Sequence, residues 1–93
     1  MNLTKQSLSE QGVVCKRVEL MFNQHETIVT IPQRFILQQR VDSNCSLCEA
    51  DIVQEVLTLL LGYNNVRDLE EAELDCTAKR TEHGFKYIFR MDN

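Results

Sequence analysis

The chain has 93 residues and a mass of 10.8 kDa, room for one core, which excludes a multidomain enzyme. Hydrophobic residues make up 43% and charged residues 26%, with one proline and three glycines, a globular balance that excludes a disordered or collagen-like polymer. The net charge is -4, and no basic patch able to neutralise several phosphates is present, so nucleic acid is not an expected partner.

Residues 1–11 are polar and lack periodicity, and are expected to form a flexible arm ahead of a single domain spanning residues 12–93. They contain no apolar leader, so the expected location is cytoplasmic. From Val13 onward, Val14, Val18, Leu20 and Phe22 place apolar side chains at even positions, the alternation of a half-buried strand. The polar stretch Asn23 to Glu26 leads into a β-branched run, Thr27 to Ile31, which completes a hairpin. Pro32 has no N–H to donate and ends the ladder. Gln33 to Arg40 fits either a short helix or a short strand, and helix is the expectation.

The clearest helix signal is Ser46-Leu47-Cys48-Glu49, which has the form of a capping box. A helix is expected from Leu47 to Leu61, closed by Gly62 in the left-handed conformation. Its polar positions Asp51, Gln54, Glu55 and Thr58 crowd into about a third of the circumference. The remaining arc is apolar and wider than the stripe of about 100° that one sheet can cover. Val53, Val56 and Leu60 should face the sheet, leaving Ile52, Leu57, Leu59 and Leu61 as interface candidates on the flanks. The alternative is that Gln33 to Arg40 and the N-terminal arm bury the helix on all sides.

Val66 to Glu71 fits a loop or a last helical turn. Ala72, Leu74, Cys76 and Ala78 then alternate with polar residues, as do Phe85, Tyr87, Phe89 and Met91 across the turn Thr81 to Gly84, giving a second hairpin. The order strand, strand, helix, strand, strand predicts an α+β domain: an antiparallel sheet of about four strands, two hairpins, with one long amphipathic helix, and the short Gln33 to Arg40 segment where it is helical, on one face. The longest mostly apolar stretch, Val56 to Leu61, falls far short of the roughly 20 residues that span a bilayer, so no membrane role is expected.

Four cysteines are the main candidates for chemistry. Cys15, Cys45, Cys48 and Cys76 could form a structural zinc site, but only Cys45 and Cys48 are spaced as a close pair. That pair also resembles a redox dithiol at a helix start. The strand order and the position of Pro32 ahead of the motif fit a thioredoxin-like arrangement poorly. The expectation is reduced, metal-free thiols and no cofactor. His25 and His83 fall in predicted turns and offer no convincing general base. Asp68, Glu70, Glu71, Glu73 and Asp75 concentrate five carboxylates, and between Val41 and Cys76 only Arg67 is basic. This is expected to be a solvated acidic surface suited to a cationic partner.

These features predict a small, soluble, non-catalytic protein-binding domain, adaptor or regulatory, that self-associates as a homodimer through the apolar helix. The alternatives are a module stabilised by zinc on the four cysteines and an acidic inhibitor of a basic nucleic-acid-binding protein.

Overall fold

The structure, a computed structural model, describes residues 3–92. Eight elements follow one another: α1 (Lys5–Glu10), β1 (Val14–Glu19), β2 (Gln24–Pro32), α2 (Gln33–Asp42), α3 (Glu49–Leu61), α4 (Val66–Glu71), β3 (Asp75–Thr81) and β4 (Gly84–Asp92). All strand pairings are antiparallel and the sheet order is β1-β2-β4-β3. Both expected hairpins form, and β2 joins them by pairing along its full length with β4, from Gln24 opposite Asp92 to Pro32 opposite Gly84. The predicted α+β fold is therefore present, with helices packed on one face of the sheet.

The register decides which side chains meet the helices. Cys15, Val29, Tyr87 and Ala78 form one cross-strand row and Arg17, Thr27, Phe89 and Cys76 the next. Val29 and Phe89 are buried in the core, which fixes these rows on the helical side. Lys16, Ile28, Ile88 and Thr77 consequently lie on the opposite, uncovered face. Helices cover the two central strands but reach neither edge: every residue of β3 is exposed, and every residue of β1 except the half-buried Val18. β1 is thus the expected strand without the expected half-burial. Its even positions face away from the helices.

The core beneath the helices is built from Leu8, Val29, Ile31, Phe35, Ile36, Ile52, Val56 and Phe89, with Val53 and Leu57 at its margin. Two sequence expectations change here. Residues 1–11 do not form a free arm: Thr4 and Ser7 cap each other, α1 forms, and Leu8 is fully buried; residues 1 and 2 of that segment lie outside the described residues. One apolar side chain in a polar helix leaves no periodic signal, but it has a large burial to gain. Much of the wide apolar arc of α3 is covered as well. α1 and α2 pack along α3 while the sheet lies beneath it, so Ile52 and Leu57 are core residues. The cover falls short of burial on all sides: Ala50 is exposed and Leu59, Leu60 and Leu61 are half-buried.

Helix α3 begins two residues later than Ser46 suggested. Cys48 is its N-cap, and the Asp51 carboxylate accepts from the Cys48 backbone N–H at 3.4 Å and from its thiol at 3.1 Å. Asn44 and Cys45 take positive φ in the preceding loop, which carries the chain past Ser46 before the helix starts. Gly62 ends α3 at φ 84°, as expected. Thr58 is buried although it was assigned to the polar face, because its hydroxyl donates to the Gln54 carbonyl at 2.6 Å and needs no water. At Gly84 a Cβ would lie 2.1 Å from the Ile31 carbonyl oxygen, so only glycine permits the close β2–β4 approach there.

Candidate functional site

The residues singled out in the sequence disperse in space. Cys15 lies on β1 and Cys76 on β3, at opposite edges of the sheet, so three strand spacings, about 14 Å, separate them. Cys45 and Cys48 sit in the loop ahead of α3. All four cysteines are free and exposed, and no group of three or more His, Cys, Asp or Glu is placed to hold a metal among the described residues. The four-cysteine zinc set is not assembled by this fold. His25 is not in a turn: it is buried on β2 opposite Met91, and its Nδ1 has no hydrogen-bond partner. His83 is exposed in the β3–β4 turn.

Of the interface candidates, Ile52 and Leu57 are buried, while Leu59 and Leu61 are half-buried against the core. Ile52, Leu59 and Leu61 therefore form no open flank, whereas Leu57 lines a groove at the margin of the core. The acidic candidates fare differently. Glu70, Glu71, Glu73 and Asp75 are exposed and Asp68 is half-buried. Asn65 caps α4 through a bond from the Asp68 N–H to its side-chain oxygen at 2.8 Å, which turns the run Val66 to Glu71 into a helix. Glu71 pairs with Arg67 at 3.0 Å. Glu70 accepts from Gln54 Nε2 at 3.3 Å, linking α4 to α3.

That link borders a groove. It runs between α3, α4 and the β3–β4 side of the sheet and encloses about 510 Å³. Its floor is apolar: Val53 and Leu57 from α3, Leu69 from α4, Leu74 ahead of β3 and Phe89 from β4. Its rim carries the carboxylates Glu49, Glu70 and Glu73, and no Lys, Arg or His lines it. The groove exists because α3 shares its core with Val29 and Phe89 of the central strands while the short α4 leans against α3, and β3 stays exposed. Glu73, at φ 48°, turns the chain from α4 into β3 and sets its carboxylate at the mouth.

Two titratable groups line one wall. The Cys76 thiol is pushed above its ordinary value by burial and then by the Asp75 carboxylate, against a hydrogen bond with the Ile88 backbone. The Tyr87 phenol is raised by burial, then by Glu49 and Cys76. Both groups therefore stay neutral near pH 7, and no histidine stands in the groove to activate the thiol. The arrangement can bury apolar side chains and attract positive charge. The sequence indicated the acidic part through its run of carboxylates, but Glu49 and the floor come from segments far apart in the chain, and only the fold joins them. No known protein family, no characterised protein and no solved structure matches this chain, so its functional reading rests on the geometry of the groove.

Proposed function

We propose that the protein is a non-catalytic protein-binding domain whose groove receives a cationic, amphipathic segment of a partner. The observation that carries this reading is the pairing of an apolar floor with three rim carboxylates and no lining cation. An apolar stripe in such a groove gains burial, and flanking Lys or Arg side chains gain charge pairing at its edge. The wider segment from residue 41 to 76 adds a negative field, with Arg67 as its single base, and this steers a cationic partner toward the same side. Cys76 is the nucleophile on the groove wall, and its neutral thiol without a base nearby supports binding over catalysis.

The test is calorimetric titration with an amphipathic Leu/Lys helical peptide, alongside a Leu/Glu peptide of the same pattern. The Leu/Lys peptide should bind, more weakly as salt rises, and the Leu/Glu peptide should not. Glu70→Lys with Glu73→Lys should weaken binding about tenfold or more, equivalent to about 1.4 kcal/mol. The control pair Glu10→Lys with Glu82→Lys, which changes net charge equally away from the groove, should retain most of it. Equal losses in both double variants would overturn the assignment of binding to the groove.

A further inference from the structure

We infer that β1 is a self-pairing edge, through which two copies of this chain join their sheets into one eight-stranded antiparallel sheet about a two-fold axis at Val18. Six large apolar side chains are exposed among the described residues, and four of them, Val14, Leu20, Met21 and Phe22, lie on β1 or the turn that follows it. Phe22 is 87% exposed at φ 62°, a conformation that bulky side chains rarely adopt. The concentration of exposed apolar area on one edge marks an association surface. A second copy is the occupant because this strand is complementary to itself in one register.

The backbone limits the choices. The Leu20 N–H donates to the Gln24 carbonyl at 2.8 Å, so Leu20 and Gln24 form a hydrogen-bonded pair. Alternation along an antiparallel ladder then directs the backbone groups of the even residues toward β2 and those of Cys15, Arg17 and Glu19 toward the outer edge. Two-fold pairing in a continuous sheet keeps residues of one face together, so the axis must pass through a residue. At Lys16, Arg17 or Glu19 it brings a residue opposite its own like charge, which is unfavourable, and at Val14 or Cys15 it sets no opposite charges against each other.

At Val18 the conflict disappears. Val18 meets its twin, Arg17 stands opposite Glu19 of the other copy twice over, and Lys16 lies beside Leu20. Within one chain Arg17 and Glu19 already pair at 2.6 Å on the exposed helical side of the strand, so the same two charges can regroup across the seam. The register also carries the Met21-Phe22 turn of each copy toward the far end of the other β1, where Val14 is 53% exposed. A two-fold contact of this kind closes on itself and stops at a dimer. It is independent of the groove, which lies toward the opposite edge of the sheet.

Sedimentation of the full chain from about 1 µM to about 1 mM should show a mass rising toward twice 10.8 kDa. Arg17→Glu, which sets Glu against Glu at both symmetric positions, should weaken the dimer about tenfold or more, and adding Glu19→Arg should restore it. With Cys15, Cys45, Cys48 and Cys76 changed to Ser, Val18→Cys should crosslink under mild oxidation, because two non-hydrogen-bonded partners sit about 4.5 Å apart between Cα atoms. The crosslink arm does not depend on how the charge variants fold. A wild-type monomer throughout that range would overturn the proposal. So would a Val18→Cys chain that stays uncrosslinked, or a dimer lost with Leu37→Lys on α2 or Glu70→Lys in the groove while Arg17→Glu leaves it intact.

Discussion

The two edges of the sheet hold equivalent topological positions and carry equal numbers of charged residues, yet they differ in apolar content. β3 is exposed along its length and has no large apolar residue: Asp75, Lys79 and Arg80 give it charge, and threonines and small residues fill the rest. β1 is almost as exposed, yet it presents Val14 and Val18 and continues into Leu20, Met21 and Phe22. Charge on an edge strand discourages a further strand from pairing with it; on β1 Arg17 and Glu19 can meet opposite charges and the apolar side chains reward pairing, while β3 has no large apolar residue to do so. One edge is thereby closed by its residues and borders a groove. The other is left open to a strand.

The largest effect that would sharpen this contrast sets the core against the groove beside β3. Leu8 on α1 is fully buried in the core, while Leu74 is half-buried at the groove. Leu8→Ala should cost about 3 kcal/mol, and Leu74→Ala about 1 kcal/mol, because the groove residue leaves a smaller cavity. Urea denaturation checks both. Equal losses would show that the groove floor is packed as tightly as the core.

A smaller effect is obtained by exchanging edge chemistry. Val14→Lys should reduce concentration-dependent association at β1 without altering stability by more than about 0.5 kcal/mol, as for an exposed position. Lys79→Val with Arg80→Val should give β3 an association tendency that it lacks in the wild type. Light scattering over a concentration series reports on both variants. An unchanged Lys79→Val, Arg80→Val protein would show that charge is not what closes the β3 edge.

The smallest effect comes from one thiol on each edge. Cys15 is raised above 9.0 by burial, against a lowering by Lys5, and Cys76 is raised above 9.0 by burial and Asp75. Folding therefore favours the protonated thiols: their contribution is complete below pH 9 and is lost as the pH climbs through the folded-state values. The Tm should decline above pH 9, and Cys15→Ser or Cys76→Ser should each make the decline shallower. Salt should shift their alkylation rates in opposite directions, slowing Cys15 as Lys5 is screened and speeding Cys76 as Asp75 is screened. A common direction would mean that burial alone sets both.

Much of the framework was legible in the sequence because local chemistry encodes it. Pro32, Gly62 and the alternation of Phe85, Tyr87 and Phe89 mark where a strand stops, where a helix closes and which side of β4 faces inward. The burial of Leu8 was not legible, since a single apolar residue in α1 has no period. The helix cap moved from Ser46 to Cys48 because the positive φ of Asn44 and Cys45 set the path of the loop, and backbone path is not written in a four-residue motif. Ile52 and Leu57 were correctly seen as apolar flanks of α3, but their surroundings depended on how α1, α2 and α4 dock against it. The groove combines Glu49 with Glu73 and Phe89, residues brought together by the β2–β4 seam and invisible to any window of sequence.

That seam also shapes how the molecule is assembled. Each hairpin joins neighbours in the chain, but the centre of the sheet joins Gln24 to Asp92 and Pro32 to Gly84, with three helices in the intervening segment. Closing so long a loop costs entropy before the ladder returns it, and such distant contacts slow folding. During synthesis the first hairpin must wait with both its edges unsheltered until β4 has been made. The interval is when β1, with its apolar rim, is most exposed to the wrong neighbour.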